Sequence, residues 1–447
     1  TLSLLFVPPL GGGMEIIMKI CLISINTQKF PSPVVPIGAS IIYNTLKKEN
    51  EVDFYDLCFL SEDYVLHKIE KTDYEVICIS IRNLDNENMN HSESYLPVYK
   101  SFVNKIRKVF HKKIILGGAG FNVMPKAVLD YLEADIGFYG EGEEKICEVV
   151  RNCNNNEWLK QQTYIVTLYD VDKNYMFYKC NIKENPIQPE ITCYDEKYHC
   201  SQKGIQPSIS IQTRRGCSYY CSYCKTPIIE GDKIRMKNIS DVISELHHIE
   251  NCGFDEVFFV DNVFNFPRDY AETLCKEMIR EKINLKWMGY FVPQNFTPDF
   301  AELLARSGCN KLQFGTDHLC DYMLRKLYKT YTFKDIQVAN KVCQDAGMIC
   351  VHSILFGAFG ETNETIIECM KRLIDLQPNI AFINSGIRLY DRTPITSQIE
   401  VDRERNRLFP EFYFSEKVNI EQARSDINFY IDCLKDVNKK IKIINSF

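Results

Sequence analysis

The chain has 447 residues and a formal net charge of −6, with 45% hydrophobic and 25% charged residues. That is too long for one ordinary core, so two domains are expected, and the mixing of acids and bases argues against a nucleic-acid surface as its main business. No run reaches the ~20 apolar residues of a membrane span, and 19 irregularly spaced cysteines in a chain this long read as reduced thiols of a cytoplasmic protein.

Residues 1–18 open TLSLLFVPPLGGG, an apolar stretch without a basic flank, and are set aside as an extension or cloning remnant. Residues 19–152 then alternate strand and helix patterns. KICLISI (19–25), EVDFYDL, EVICISI (75–81), KIILGG (113–118) and DIGFYG (135–140) read as buried strands, with amphipathic helices between them. This rhythm predicts an α/β, doubly wound, Rossmann-like parallel sheet, whose ligands sit at the carboxyl ends of the strands. Residues 153–205 break the rhythm with the polar run NCNNNEW and a stretch that alternates like a hairpin, and are expected to be a linker. From 206 to 395 the alternation returns in about six strand–helix units, which predicts a partial (β/α)6 barrel of TIM type. Ser240 and Thr297 are expected helix caps within it, and residues 396–447 read as a small helical cap.

The strand pattern PSISIQTR runs straight into RRGCSYYCSYCKTP, where Cys217, Cys221 and Cys224 have the spacing C-x3-C-x2-C. A structural zinc site closes with four ligands, and no fourth ligand is near. Three thiolates can instead hold a [4Fe-4S] cube and leave one iron open for a ligand. The loop falls between a strand and a helix, at the carboxyl rim where barrel active sites lie. Zinc and three ordinary buried cysteines remain the alternative readings of the residues themselves.

With Tyr223 before its last cysteine, this loop resembles the signature of radical SAM enzymes. The resemblance implies that Cys217, Cys221 and Cys224 ligate a [4Fe-4S] cluster. The open iron would chelate S-adenosylmethionine (SAM), which an electron cleaves to a 5′-deoxyadenosyl radical. FFVDNVFNFP (258–267), with Asp261, is similar to a second-strand motif of the subgroup with an N-terminal cobalamin (B12)-binding-type domain. FGTDHLCDYMLRKLYKTYT (314–332) resembles its G-x-E-S segment followed by a helix ending in K-x-x-T. Gly315 matches there, whereas Asp317 stands in place of Glu and His318 in place of Ser. LFGAFGET (355–362), with Gly357, resembles a G-x-P-G-E-T turn, and GIRLYDRTP (386–394) a last-strand segment. In that last segment Arg388 would face the SAM carboxylate. Tyr223, Asp261, Gly315, Asp317, His318, Gly357 and Arg388 are thereby implied SAM contacts. The glycines read equally as turn residues, Arg388 also as an ion pair, and Arg214 and Arg215 as cluster-balancing or ordinary paired charges. His352 reads as a satisfied core histidine.

ISIRNLDN (79–86), GGAGFNVMP (117–125) and FYGEGEE (138–144) resemble the cobalamin domain of that subgroup, which implies cobalamin near Gly117, Gly118 and Gly120. The loop NTQKFPSPVVP holds no His, so any bound cobalamin takes no lower ligand from it. The resemblance implies hydrogen abstraction from an unactivated carbon of a small molecule or lipid, with or without cobalamin-dependent methyl transfer. An external electron donor such as flavodoxin or ferredoxin would serve it. The alternatives are a cobalamin-independent rearrangement, coupling or dehydrogenation beside a vestigial B12-type domain, and a non-catalytic Fe–S or zinc redox sensor.

Overall fold

The computed structural model describes residues 17–29, 32–170, 173–186, 188–200, 207, 209–399 and 408–447. The expected extension falls almost wholly outside them.

The first sheet contains β1 (Lys19–Ser24), β2 (Glu51–Asp56), β3 (Val76–Ser80), β4 (Lys113–Gly117), β5 (Ile136–Phe138) and β6 (Ile165–Thr167) in the order β2-β1-β3-β4-β5-β6. The first five run parallel, and their near-continuous apolar runs are buried on both faces by helices. Strand order reverses between β1 and β3, so the connections leave the sheet in opposite directions and open a crevice there. Register sets Ser24 beside Ser80, and Ser80 beside Gly117, which gives that crevice a floor of small residues.

The second sheet is built from β7 (Ser210–Ile211), β10 (Glu256–Phe259), β11 (Lys286–Phe291), β12 (Cys309–Asp317), β13 (Ile349–Phe356), β14 (Ile380–Ser385) and β17 (Lys442–Asn445). All pair in parallel, in the order β17-β14-β13-β12-β11-β10-β7. Two short antiparallel ribbons sit among them: β8 (Arg214–Arg215) with β9 (Arg235–Met236), and β15 (Ile387–Arg388) with β16 (Phe412–Tyr413). Thr297 caps its helix by accepting from Phe300 N–H at 3.3 Å.

Three expectations change. Ile165–Thr167 lies in the expected linker, yet it pairs antiparallel with β5 at the edge of the first sheet, while the following arm meets it through Met176 N–H to Thr163 O at 2.9 Å and bridges Tyr178 to Gly140. The C-terminal segment is more than a helical cap. Helix Ile420–Val437 packs Ala423, Ile427 and Ile431 into a core shared with helix Asn363–Leu376, and this delivers β17 to the open side of β14. The helix expected at Ser240 begins at Ile239, with Asn238 at the cap position. Among the described residues no helix is long and apolar enough to cross a membrane.

Candidate active site

The loop after β8 is fixed before it reaches its first cysteine. Gly216 has φ +87°, and a Cβ there would lie 2.3 Å from the Lys233 carbonyl oxygen, so only glycine makes this turn without displacement. Its N–H donates to Glu230 Oε2 at 3.1 Å. Ser222, between the second and third cysteines, donates its N–H to Leu327 O at 3.1 Å and accepts from Ile395 N–H at 2.7 Å. Cys217 is buried, and Cys221 and Cys224 are half-buried. Donors face two of the sulfurs: Lys329 Nζ lies 3.3 Å from Cys221 Sγ, and Thr226 N–H lies 3.5 Å from Cys224 Sγ. Such donors stabilise thiolates. Among the described residues no group of three or more His, Cys, Asp or Glu side chains is placed to hold a single metal ion.

Asp261 stands behind the loop. It is fully buried and accepts four hydrogen bonds from the two residues that lead into β8: Thr213 N–H (2.7 Å) and Oγ1 (2.5 Å), and Arg214 N–H (3.1 Å) and Nε (3.2 Å). Arg214 also donates from Nη1 to Phe266 O at 2.8 Å, and its guanidinium lies 4.7 Å from the Tyr270 ring centroid. Arg215 pairs with Glu143 at 2.5 Å and Glu141 at 3.2 Å. Both arginines are therefore structural ion pairs.

Asp317 lies at the end of β12 in the left-handed region, φ +59°. Its Oδ2 accepts from Tyr223 OH at 2.5 Å and pairs with the Lys329 ammonium. Burial weighs most against the charge on Lys329, but Asp317 together with Tyr223, Tyr331 and Cys221 outweighs it and holds the ammonium well above its ordinary pKa. The Gly315 carbonyl accepts from Tyr331 OH at 2.5 Å and Lys329 Nζ at 3.4 Å, and a Cβ on Gly315 would meet nothing within 4 Å. This is bare backbone beside the cysteines.

His318 and Gly357 form a brace behind this face. His318 is fully buried, and its Nδ1 accepts from Cys320 N–H at 2.9 Å. Nε2 therefore carries the proton and donates to Glu361 Oε1 at 3.0 Å. Glu361 Oε2 accepts from Gly357 N–H at 3.1 Å. Gly357 has φ +101°, and a Cβ would sit 2.5 Å from the Phe414 ring. Arg388 is turned toward the N-terminal half: Nε donates to Asp85 Oδ2 at 3.0 Å and Nη1 to Leu389 O at 2.6 Å. His352 is satisfied in the core by Thr316 Oγ1 (2.8 Å) and Asn340 Oδ1 (3.2 Å).

The structure thus brings Tyr223, Gly315 and Asp317 to the cysteine loop, keeps Asp261, His318 and Gly357 as supports, and pairs Arg388 across the domains. Lys329, the lysine of K-x-x-T, was not singled out from the sequence. Its signal was a basic residue just past a helix end, and its partners are brought to it only by the fold.

A cavity of about 440 Å³ joins the two halves. Ser24, Ser80, Gly117 and Gly118 line one side, while Gln212, Phe258 and Tyr290 of the barrel line the other. Gly117 and Gly38 leave backbone bare at this wall, since a Cβ on Gly38 would meet nothing within 4 Å and one on Gly117 only Phe138 Cβ at 3.9 Å. Gly118 (φ +100°) and Gly120 serve packing: their Cβ atoms would lie 2.5 Å from Ile81 O and 3.0 Å from Arg82 backbone. Gly120 is not on the cavity wall, and no histidine is among the described lining residues. The edges are clamped by Arg235–Glu141 (2.7 and 2.5 Å) and Arg215–Glu143. A bare backbone floor at a topological switch point fits a large, flat, uncharged ligand face such as a corrin.

Residues 211–373 match the radical SAM superfamily and residues 23–150 the B12 binding domain. The chain carries a radical SAM domain with a B12-binding domain ahead of it, and it is an enzyme of that type. The cofactors of that class are a [4Fe-4S] cluster, SAM and cobalamin. It is 23% identical over 433 residues to tryptophan 2-C-methyltransferase of Streptomyces laurentii, which covers 82% of this chain and 72% of the relative. It is 25% identical over 405 residues to an uncharacterized methyltransferase of Pyrococcus horikoshii, covering 84% and 83%. The radical SAM methyltransferase TsrM of Kitasatospora setae, solved with cobalamin and [4Fe-4S] cluster, superposes with a TM-score of 0.81 at 20% identity, over 96% of this chain and 93% of that one. A second TsrM structure, with tryptophan and a SAM analogue, gives 0.81 at 21% identity, over 94% and 90%. This likeness carries the fold.

Proposed function

We propose that this chain is a cobalamin-dependent radical SAM methyltransferase that places a methyl group on a carbon of a small molecule. One observation carries the reading: the carboxyl ends of both parallel sheets open onto a single cavity of about 440 Å³. A methyl carrier over Gly117 and a substrate against Phe258 and Tyr290 share one enclosure. When bound, the cluster supplies an electron to SAM and the cobalamin carries the methyl group. Cys217, Cys221 and Cys224 would hold the cluster. The bare backbone at Gly315 leaves room for SAM, and Asp317, oriented by Tyr223, would take its ribose hydroxyls. Phe258, Val260, Tyr290 and Ile229 offer apolar surface, with Gln212 and Arg82 as polar points. That wall suits a substrate with an aromatic or apolar ring, in line with the tryptophan named for one relative. A low-potential donor of the flavodoxin or ferredoxin kind would supply the electron.

The test is anaerobic reconstitution with iron and sulfide, reduction, and addition of SAM, hydroxocobalamin and candidate aromatic substrates. Consumption of SAM with a methylated product is expected, abolished by Cys217→Ala, Cys221→Ala or Cys224→Ala. 5′-Deoxyadenosine without any methylated product or S-adenosylhomocysteine would favour a cobalamin-independent radical transformation. A reconstituted protein that never turns over SAM would overturn the proposal.

A further inference from the structure

We infer that Lys329 is a positioning residue that sets the reduction potential of the cluster, with Asp317 as its opposing charge. This rests on the reading that Cys217, Cys221 and Cys224 hold that cluster.

The route by which the lysine arrives is written in the backbone. Helix Asp321–Lys326 ends in a double hydrogen-bonded turn, in which Tyr328 N–H donates to Arg325 O at 3.1 Å and Lys329 N–H to Leu324 O at 2.9 Å. The turn needs a left-handed residue, a position that favours glycine, and Tyr328 occupies it at φ +61°. Asp317 also sits left-handed, at φ +59°. Two non-glycine residues therefore carry left-handed strain, roughly 1 kcal/mol or more each, at the two places that aim Lys329 and Asp317 at one another.

Once there, the ammonium is held from several sides. It pairs with Asp317, contacts Cys221 Sγ at 3.3 Å and Gly315 O at 3.4 Å, and lies 5.5 Å from the Tyr223 ring centroid and 6.0 Å from that of Tyr331. The Lys329 side chain is 6% exposed and that of Asp317 8%, so water screens neither well. A cluster gains one negative charge on reduction. A fixed cation at a ligand sulfur favours the reduced form and raises the potential, and a nearby carboxylate lowers it. The pair thus acts as a charge setting of two opposed parts, with the cation nearer the sulfur.

The experiment is an EPR-monitored redox titration of the reconstituted full-length protein, without SAM or cobalamin, with iron and sulfide measured for every variant. Lys329→Gln is expected to lower the reduced-to-oxidised ratio at fixed potential about tenfold, a shift of ~59 mV for a one-electron couple. Asp317→Asn is expected to move the potential the other way, and Lys329→Arg to restore most of the wild-type value. A purely structural role would move the two neutralising variants in the same direction or leave the midpoint unchanged, and either result overturns the inference. If Lys329→Gln assembles no cluster, the sign of the Asp317→Asn shift decides. Failure of the wild-type protein to assemble a cluster would sink the proposed function itself, whereas an intact cluster with an unmoved potential sinks only the role of Lys329.

Discussion

The two halves of the molecule place their sites at the same point of the same kind of sheet, yet they build them from opposite materials. The rim of the barrel is made of buried charge, Arg214 on Asp261 and Lys329 on Asp317, with His318 donating to the buried Glu361 carboxylate. The rim of the N-terminal sheet is made of bare backbone and small side chains, Ser24, Ser80 and Gly117 in register, with Gly38 on the same cavity wall. The difference follows from what each half is proposed to hold. Charged cofactors require that counter-charges be fixed before they arrive, and a broad macrocycle requires only that nothing stand in its way. The N-terminal rim has its charges at the edges, where Glu141 and Glu143 meet Arg235 and Arg215 of the barrel.

The contrast breaks most visibly at Asp261. Asp261→Ala leaves the Arg214 guanidinium buried without its carboxylate and should cost about 3–5 kcal/mol. Urea unfolding of the apo protein followed by Trp287 fluorescence in a Trp158→Phe background measures this. A cost under 1 kcal/mol would show that the barrel rim does not depend on paired charge.

His352 tests whether the barrel core also holds its neutral polar groups firmly. Burial pushes its pKa down to about 3, and its polar partners Thr316 and Asn340 do not titrate. The unfolded chain takes up a proton below pH 6.5, whereas the folded one does not until about pH 3. Stability is therefore lost as pH falls through that window, at about 1.4 kcal/mol per unit. His352→Gln should flatten the slope between pH 6.5 and 5 by about 2 kcal/mol, read from denaturant midpoints at a series of pH values.

Two glycines sharpen the other side of the contrast. Gly118→Ala forces a Cβ to within 2.5 Å of Ile81 O at φ +100° and should destabilise the N-terminal half by about 2 kcal/mol, seen in its thermal midpoint. Gly38→Ala sits at the start of helix Ile37–Leu46 with open space around its Cβ, and should stabilise the helix by about 0.5 kcal/mol. Its methyl group would still intrude on the cavity wall. The expected pair of readings is an equal or higher midpoint with weaker cobalamin retention through gel filtration. Unchanged retention would show that the bare wall at Gly38 is incidental.

Much of this was legible in the chain. The strand runs are nearly unbroken apolar stretches, so KICLIS, VICIS and KIILG could be placed almost to the residue, and three cysteines in one short loop could be located without any fold. The support network was not legible. Thr213 and Asp261 are 48 residues apart, His318 and Glu361 43, and Arg388 and Asp85 303, and nothing local marks a side chain that will meet its partner at such a distance. Ile165–Thr167 is only three residues long, too short for a period to declare itself.

The sequence by itself determined the two parallel sheets, the cysteine loop and its place after a strand, because apolar periodicity and residue spacing act over a few neighbours. Only the tertiary structure decided which polar residues stand beside the cysteine loop and which are sealed behind it. Asp317 and Asp261 both follow an apolar run in a similar way, yet one pairs with Tyr223 and Lys329 beside the cysteines and the other is sealed under Arg214. The physical reason is that a buried charge takes its role from the partner that desolvation obliges it to find, and that partner is supplied by packing across the fold.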